Sequence, residues 1–519
     1  MLINTVNREI PEEINGRKLT PFQGEFALQP SVEAIISHRK LKKRTPDMGN
    51  KLQPDLKAAI KAVGLKDGMT ISFHHAFRDG DLTVLPVLEA IRALGIKNLT
   101  LAPSSLTDVH DPVVDFIKDK TITHLESSGL RGKLGKAVSE GILEDPVVLR
   151  THGDRVRAIQ AGELNIDVAF LAVASADDYG NATGCTGKNI CGALGYAMVD
   201  AKYAANVVLI TDNLVSYPCC PISIDQSDVD CVVVVDQIGD SALIGKGAAR
   251  TTRDPKQLLI AENTTKVIEH SGLFVEGFSM QTGVGAVPIA VTNFLGERMR
   301  AQNIHASFAL GGIGAAITRL HLEGYIEKIL AVQSFDVEAS AALCNDITHI
   351  ETQTGTYANI YGNGCCINKL DVCVLSALEM DTSFNCNILT GSNGELRGAL
   401  GGGPDCAGAA KLSVMAMPLI RGRIPSIVDE VNTICTPGTS VDCVVTEYGV
   451  AVNTARNPGL EDRLRKVGLK LFTMQELKEM AERLTGKPEP IKYNHDKVVA
   501  VVEYRDGSII DVVYQVQPE

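Results

Sequence analysis

Asn165-Ile166-Asp167-Val168-Ala169-Phe170-Leu171 leads into Ala174-Ser175-Ala176-Asp177 and then Asn181. The same pattern returns as Leu370-Asp371-Val372-Cys373-Val374-Leu375, then Ala377-Leu378-Glu379-Met380-Asp381, then Asn385. Asp167 and Asp371, Asp177 and Asp381, and Asn181 and Asn385 are each 204 positions apart. Each copy is followed shortly by Thr-Gly, at Thr183-Gly184 and Thr390-Gly391. Self-similarity in one order marks a duplicated unit.

Other stretches join the alignment. Lys66-Asp67-Gly68-Met69-Thr70-Ile71-Ser72-Phe73 corresponds to His270-Ser271-Gly272-Leu273-Phe274-Val275-Glu276-Gly277, and Pro86 and Pro288 each open a helix. Amphipathic segments ending in Glu140-Gly141-Ile142-Leu143 and Glu323-Gly324-Tyr325-Ile326 are also paired, although at an offset of 183 rather than 204. Around these anchors, Asp55–Val63 reads as a helix closed by Gly64, Met69–Phe73 as a strand, Val84–Leu94 as a helix and Leu99–Ala102 as a strand. Such alternation predicts βαβ units and mainly parallel sheets. The expected fold is α/β, in two tandem, homologous halves over 56–245 and 255–490. Residues 1–55 form a polar N-terminal extension. In the tail, 491–519, Val498–Tyr504 and Ser508–Val516 alternate around Arg505-Asp506-Gly507 and predict a β-hairpin.

Composition narrows the function classes. Of 519 residues 45% are hydrophobic and 22% charged, the balance of a globular protein with a sizeable core. A net charge of -12 argues against wholesale nucleic-acid binding. No apolar run approaches a membrane span, and the N-terminus lacks a basic region followed by an apolar core, so a cytoplasmic location is expected. The 13 cysteines lie in strand-like stretches (Cys231, Cys373) or doublets (Cys219-Cys220, Cys365-Cys366), without a Cys-x-x-Cys, and Cys185 and Cys191 stand isolated. They read as buried hydrophobes in a reducing compartment, with no metal site. No Gly-x-Gly-x-x-Gly follows the first strand and no Gly-x-x-x-x-Gly-Lys-Ser/Thr occurs, which removes the dinucleotide and P-loop readings.

Four loops stand at expected strand ends, where ligands of open parallel sheets bind. The first is Ser72-Phe73-His74-His75-Ala76-Phe77-Arg78-Asp79-Gly80. The second, at the matching place in the other half, is Gln281-Thr282-Gly283-Val284-Gly285-Ala286-Val287-Pro288. Glycines just before a helix expose amides that can hold a carboxylate or an oxyanion. The third runs Thr390-Gly391-Ser392-Asn393-Gly394-Glu395-Leu396-Arg397-Gly398-Ala399-Leu400-Gly401-Gly402-Gly403-Pro404-Asp405, too rich in glycine for helix or strand. The fourth is Cys443–Ala451, ending in Thr446-Glu447-Tyr448-Gly449; Glu447 there reads as a structural carboxylate.

With these loops the chain resembles the coenzyme A-transferase superfamily, and within it the citrate lyase alpha-subunit family, over nearly its whole length. Gly283-Val284-Gly285-Ala286-Val287-Pro288 resembles that superfamily's Gly-Ile-Gly-x-Ile-Pro signature, and Asp177-Asp178-Tyr179-Gly180-Asn181 its Asp-x-x-Gly turn. Gly401-Gly402-Gly403-Pro404-Asp405 resembles its Gly-Gly-x-x-Asp loop, and Val445-Thr446-Glu447-Tyr448-Gly449 its Val-Thr-Glu-Tyr-Gly motif. The narrower likeness rests on the Ser392–Asp405 segment taken whole.

The resemblance implies a transferase that moves an acyl-carrier thioester from acetate to citrate. It implies a gamma subunit carrying a coenzyme-A-like prosthetic group, a beta subunit that cleaves citryl thioester, and homo-oligomers within a larger complex. No cofactor would be tightly bound in this chain. Related transferases place a nucleophilic glutamate after the Gly-x-Gly helix, where this chain reads His305-Ala306-Ser307-Phe308-Ala309-Leu310-Gly311-Gly312-Ile313-Gly314. The expected route is therefore direct attack by citrate's carboxylate in a ternary complex, through a mixed anhydride, with Glu395 as the alternative covalent nucleophile. Oxyanion and thioester contacts fall to Gly283, Val284, Gly285, Ala286 and Gly401, Gly402, Gly403. Citrate contacts fall to His74, His75, Arg78, Ser392, Asn393, Gly394 and Arg397. The basic run Arg39–Arg44 reads as a solvated face, or as a dock for an acidic carrier or a coenzyme A 3′-phosphate. The alternatives are a transferase of the same fold acting on another acid, such as citramalate, and a non-catalytic scaffold.

Overall fold

The computed structural model describes residues 1–25, 27–28, 51–245 and 251–517. The basic run at 39–44 lies outside them. The first half carries seven parallel strands: β1 (Thr70–Ser72), β2 (Leu99–Leu101), β3 (Ile122–Ser127), β4 (Val147–Arg150), β5 (Val168–Ala172), β6 (Asn206–Thr211) and β7 (Cys231–Val234). The second carries β8 (Phe278–Thr282), β9 (Ala306–Ile313), β10 (Ile326–Ser334), β11 (His349–Glu351), β12 (Val372–Leu375), β13 (Leu412–Ala416) and β14 (Cys443–Val445). Within the sheets the orders are β4-β3-β2-β1-β5-β6-β7 and β11-β10-β9-β8-β12-β13-β14. The duplication read from sequence is thus a duplication of topology.

It extends to single hydrogen bonds. Asp177 Oδ1 accepts the amides of Tyr179, Gly180 and Asn181, while Asn181 Nδ2 donates to Asp177 Oδ2. Asp381 Oδ1 accepts the amides of Ser383 and Asn385, while Asn385 Nδ2 donates to Asp381 Oδ2. A short acidic side chain closing its own turn explains why Asp and Asn recur at this spacing.

Helices cover both sheets. In the first half they include α1 (Val84–Ala93), α2 (Val113–Lys118), α3 (Gly132–Ser139), α4 (His152–Gln160) and α5 (Gly195–Tyr203). In the second they include α6 (Ala286–Gln302), α7 (Ala315–Leu322), α8 (Val337–Asn345), α9 (Thr354–Ala358) and α10 (Gly403–Ala409). This order corrects two details of the internal alignment. Glu140 follows α3, between the third and fourth strands of its half, whereas Glu323 follows α7, between the second and third. The two segments are not equivalent, which accounts for their different offset. The strand aligned to 273–277 starts only at Phe278, because the buried Phe274 packs into the core from a turn and so mimics a strand residue.

The C-terminal hairpin, β15 (Tyr493–Glu503) and β16 (Ile509–Val516), returns to the first half, where β15 runs parallel to β4. Its Glu503 is fully buried and accepts from Arg17 (2.5 Å) and Arg157 (3.0 Å), with Arg150 at 3.4 Å. The halves also exchange backbone. Leu389, Leu396 and Leu400 belong to the first half's core, the Leu400 amide donates to Ser128 O (2.7 Å), and the Leu130 amide donates to Gly398 O (3.0 Å). In return the Leu194 amide donates to Glu351 (2.6 Å) and Gly195 O accepts from Thr354 Oγ1 (2.9 Å). Among the described residues no helix is long and apolar enough to cross a membrane. Among them, too, no group of three or more His, Cys, Asp or Glu is placed to hold a metal ion.

Candidate active site between the two halves

The loop after β1 meets the end of β10, and the start of α4, after β4, meets the Gly401 loop. His74 and His75 leave β1 in opposite senses. His74 Nε2 donates to Ala172 O (2.7 Å) and its Nδ1 accepts the Ala76 amide (3.2 Å), which commits it to its own half. The His75 ring instead lies 4.6 Å from Tyr196 and 5.3 Å from His152, with its Nδ1 2.6 Å from Ser104 Oγ. Its carbonyl accepts from Gln333 Nε2 of the second half (2.8 Å). Arg78 adopts φ 50° and lays its guanidinium 5.0 Å from the Phe335 ring centre. Phe335 in turn lines a cavity of about 150 Å³ with Thr282, Gly283, Val284, Gly312 and Asp336.

His152 opens α4, where Thr151 caps the helix and the His152 amide donates to Gly401 O (2.9 Å). Asp405 of the second half accepts Thr151 Oγ1 (2.7 Å) and the Gly153 amide (3.0 Å). Gly401 has φ +56°, and a Cβ there would stand 3.8 Å from His152 Cε1. A Cβ on Gly402 would overlap the Tyr357 hydroxyl. Both glycines let bare backbone pass between His152 and Tyr357. Across the cleft, a Cβ on Gly311 would meet Gln281 Cγ at 3.6 Å and Tyr357 Oη at 3.8 Å.

Burial sets the electrostatics. It holds His75 well below the ordinary imidazole range and, with Arg155, takes His152 to about 3. It pushes the Tyr196 and Tyr357 phenols up. The cluster is therefore uncharged at neutral pH. His152 Nε2, Gln281 Oε1 and Arg78 Nε are buried and carry no hydrogen-bond partner. Buried polar atoms are normally satisfied, so these three leave donors and an acceptor unused at strand ends, where ligands of open parallel sheets bind.

A family model described as "Citrate lyase, alpha subunit (CitF)" matches residues 49–516. The citrate lyase alpha chain of Escherichia coli (strain K12) is 54% identical over 467 residues, covering 90% of this chain and 91% of that one. The chain belongs to the citrate lyase alpha-subunit family. A crystal structure of the alpha subunit of citrate lyase from Streptococcus mutans, in complex with citrate, superposes with a TM-score of 0.95. It is 50% identical and covers 99% of this chain and 100% of that one. The malonate decarboxylase alpha subunit of Acinetobacter baumannii shares the fold alone, at a TM-score of 0.61 and 14% identity, over 85% of this chain and 94% of that one.

Within this citrate lyase alpha-family chain the site residues read from sequence separate into two places. His75, Arg78, Gly401, Gly402 and the Gly283–Ala286 loop border the cleft. The Gly283 amide already donates to Val374 O (2.9 Å) and that of Gly403 to Leu400 O (3.3 Å), so the loop's open donors begin at Val284, Gly285 and Ala286, where α6 starts. Ser392, Asn393, Gly394 and Glu395 form an outer turn, closed by the Gly394 amide on Gly391 O (2.9 Å). There Ser392 and Asn393 are exposed, Gly394 packs on Tyr493, and Glu395 stands 3.7 Å from Lys136 of α3. Arg397 is exposed beside Gly391. Gln281, which opens the second loop read from sequence, stands with its side-chain oxygen unpaired, and His152, Tyr196, Gln333 and Tyr357 are additions from the structure. Only His152 had a signal in sequence: a Thr-His-Gly-Asp turn directly after an apolar strand.

Proposed function

We propose that the chain is the transferase subunit of a citrate lyase, exchanging the acetyl group of an acyl-carrier thioester for citryl. Membership of the family, and a citrate-bound relative of nearly the same fold, support that substrate. The carrier's coenzyme-A-like arm enters the cleft from a separate subunit, and a lyase subunit consumes the citryl thioester. The chain needs no tightly bound cofactor of its own, and it works in the cytoplasm as a homo-oligomer within that complex.

The observation that carries the mechanism is how the cleft's carboxylates are used. Asp405 is held by Thr151 and Gly153. Asp336 accepts the amides of Ala315 (2.7 Å) and Ala339 (2.8 Å). Glu395 faces Lys136 on the outer turn. The end of β9, where related transferases keep their nucleophile, is Gly311-Gly312. The nucleophile is then citrate itself. One of its carboxylate oxygens bonds to the acetyl carbon while the carbonyl pair moves onto oxygen. Collapse expels the carrier thiolate and leaves an acetyl–citryl anhydride. The thiolate adds to the citryl carbonyl, and the second collapse releases acetate. Arg78 pairs with a citrate carboxylate, and the amides of Val284–Ala286 face the thioester.

Citrate labelled with oxygen-18 in its carboxylates tests this. In a single turnover the anhydride route transfers one labelled oxygen to acetate. Unlabelled acetate, or a hydroxylamine-trapped adduct on Glu395, would replace it with an enzyme-bound thioester.

A further inference from the structure

We infer that His152 is a further catalytic residue of this cleft, whose Nε2–H donates to the oxygen that turns negative as the thioester is attacked, and that Tyr196 is its positioning residue. The inference rests on the transferase reading above. Its observations are separate from those that carry that reading.

Tyr196 Oη lies 2.6 Å from His152 Nδ1 and contacts it edge-on, with ring centres 4.6 Å apart. Burial keeps the phenol protonated, and an imidazole lone pair is the acceptor it meets. His152 Nδ1 is the phenol's one hydrogen-bond partner among the described residues, and with the phenol as donor the proton of the neutral ring sits on Nε2. Yet Nε2 is buried and makes no hydrogen bond, at a position 8% exposed overall. A buried N–H without an acceptor costs about 1–3 kcal/mol. Tyr196 adds to that cost by fixing the tautomer that has the unused donor.

The direction of the ring gives the orphan a purpose. His152 begins α4, its amide is tied to Gly401 O, and Gly401 presents bare backbone beside Cε1, the carbon bonded to Nε2. Cε1 lies between the two ring nitrogens, so the glycine passage runs beside the ring edge that carries them. His75 lies against both rings from the other side, anchored through Ser104 and Gln333. Tyr196, His75 and the Gly401 backbone thus hold the imidazole, while its Nε2 stays without a partner. Being uncharged, it gives little to a neutral thioester and most to the oxyanion that forms from it, which is the differential a transition-state donor requires.

The test compares His152→Ala, His152→Gln and Tyr196→Phe in acetyl-carrier/citrate exchange, with the full chain and the acyl carrier. His152→Ala should lower kcat about 100- to 1,000-fold with the KM for citrate little changed. His152→Gln, which returns an N–H near the same place, should recover at least about tenfold of that loss. In nitrogen-15 spectra of histidine-labelled protein, His152 should show a bare Nδ1 and a protonated Nε2, and Tyr196→Phe should shift that balance as kcat falls. A His152→Ala kcat within about threefold of wild type, a loss confined to KM, or a protonated Nδ1 in the wild type would overturn the inference. If His152→Ala fails to fold, the glutamine variant and the spectra decide. Absence of exchange in the wild type would instead remove the transferase reading itself.

Discussion

Asp405, on the second half, holds the Thr151 hydroxyl and the Gly153 amide of the first, 2.7 and 3.0 Å from its two oxygens. One carboxylate thus fixes the start of α4, and with it His152, against the glycine passage of the opposite half.

Burial raises the Asp405 carboxyl to about 6. The unfolded chain gives it an ordinary value near 4, so between about pH 4 and 6 the folded state holds the extra proton. Stability from this group is complete below that window, falls as pH climbs through it, and is level above. Between pH 4.5 and 7 the wild type should lose about 2 kcal/mol more than Asp405→Asn, read from denaturant midpoints at the two pH values. Parallel curves for the two proteins would refute the assignment.

Gly402→Ala drives a methyl group into the Tyr357 hydroxyl. A cost of about 1–3 kcal/mol and a loss of exchange activity are expected, since the passage beside His152 must shift. Tyr357→Phe removes the obstructing oxygen. The double variant should therefore regain part of both losses, and a double-mutant cycle measures the coupling.

Glu503 lies among three arginines, which hold its carboxyl down to about 2 against the cost of burial. This stabilisation is full above about pH 4.5 and disappears as pH falls toward 2. Glu503→Ala leaves Arg150 and Arg157 buried without it and should cost about 3–5 kcal/mol, seen as a lower thermal midpoint at pH 7.

Arg78→Ala should raise the KM for citrate about 10- to 100-fold, the loss of a charge-assisted pair. Arg78→Lys should restore little, because an ammonium cannot stack on Phe335 as a planar guanidinium does. Equal KM values for the three proteins would place citrate elsewhere.

The fold was legible because duplication repeats side chains that serve the backbone. Asp177 and Asp381 close the same turn, and a recurrent local hydrogen bond leaves a recurrent pair of letters. The parallel strands were legible for a similar reason, since β5 and β12 are buried on both faces and read as unbroken apolar runs. The site was less so. Glycine-rich loops announce open backbone, but Ser392–Glu395 and Gly401–Gly402 belong to one such run and end in different places. Gln333 meets His75 only because the two sheets face one another, Tyr196 and Tyr357 reach His75 and Gly402 from other elements of the same half, and residues that converge from different elements share no spacing along the chain. His74 and His75 are adjacent letters with different duties, decided by which ring reaches Ala172 O and which packs on Tyr196 and His152.

The return of β15 to the edge of β4 makes the first half discontinuous in the chain. Its sheet cannot be finished until the ribosome has made the residues from Tyr493 onward, after the whole second half has emerged. Until then Val148 and Leu149 stand on an open edge, where a neighbouring nascent chain could pair with them. The first half's sheet is complete only when the chain's last hairpin is in place.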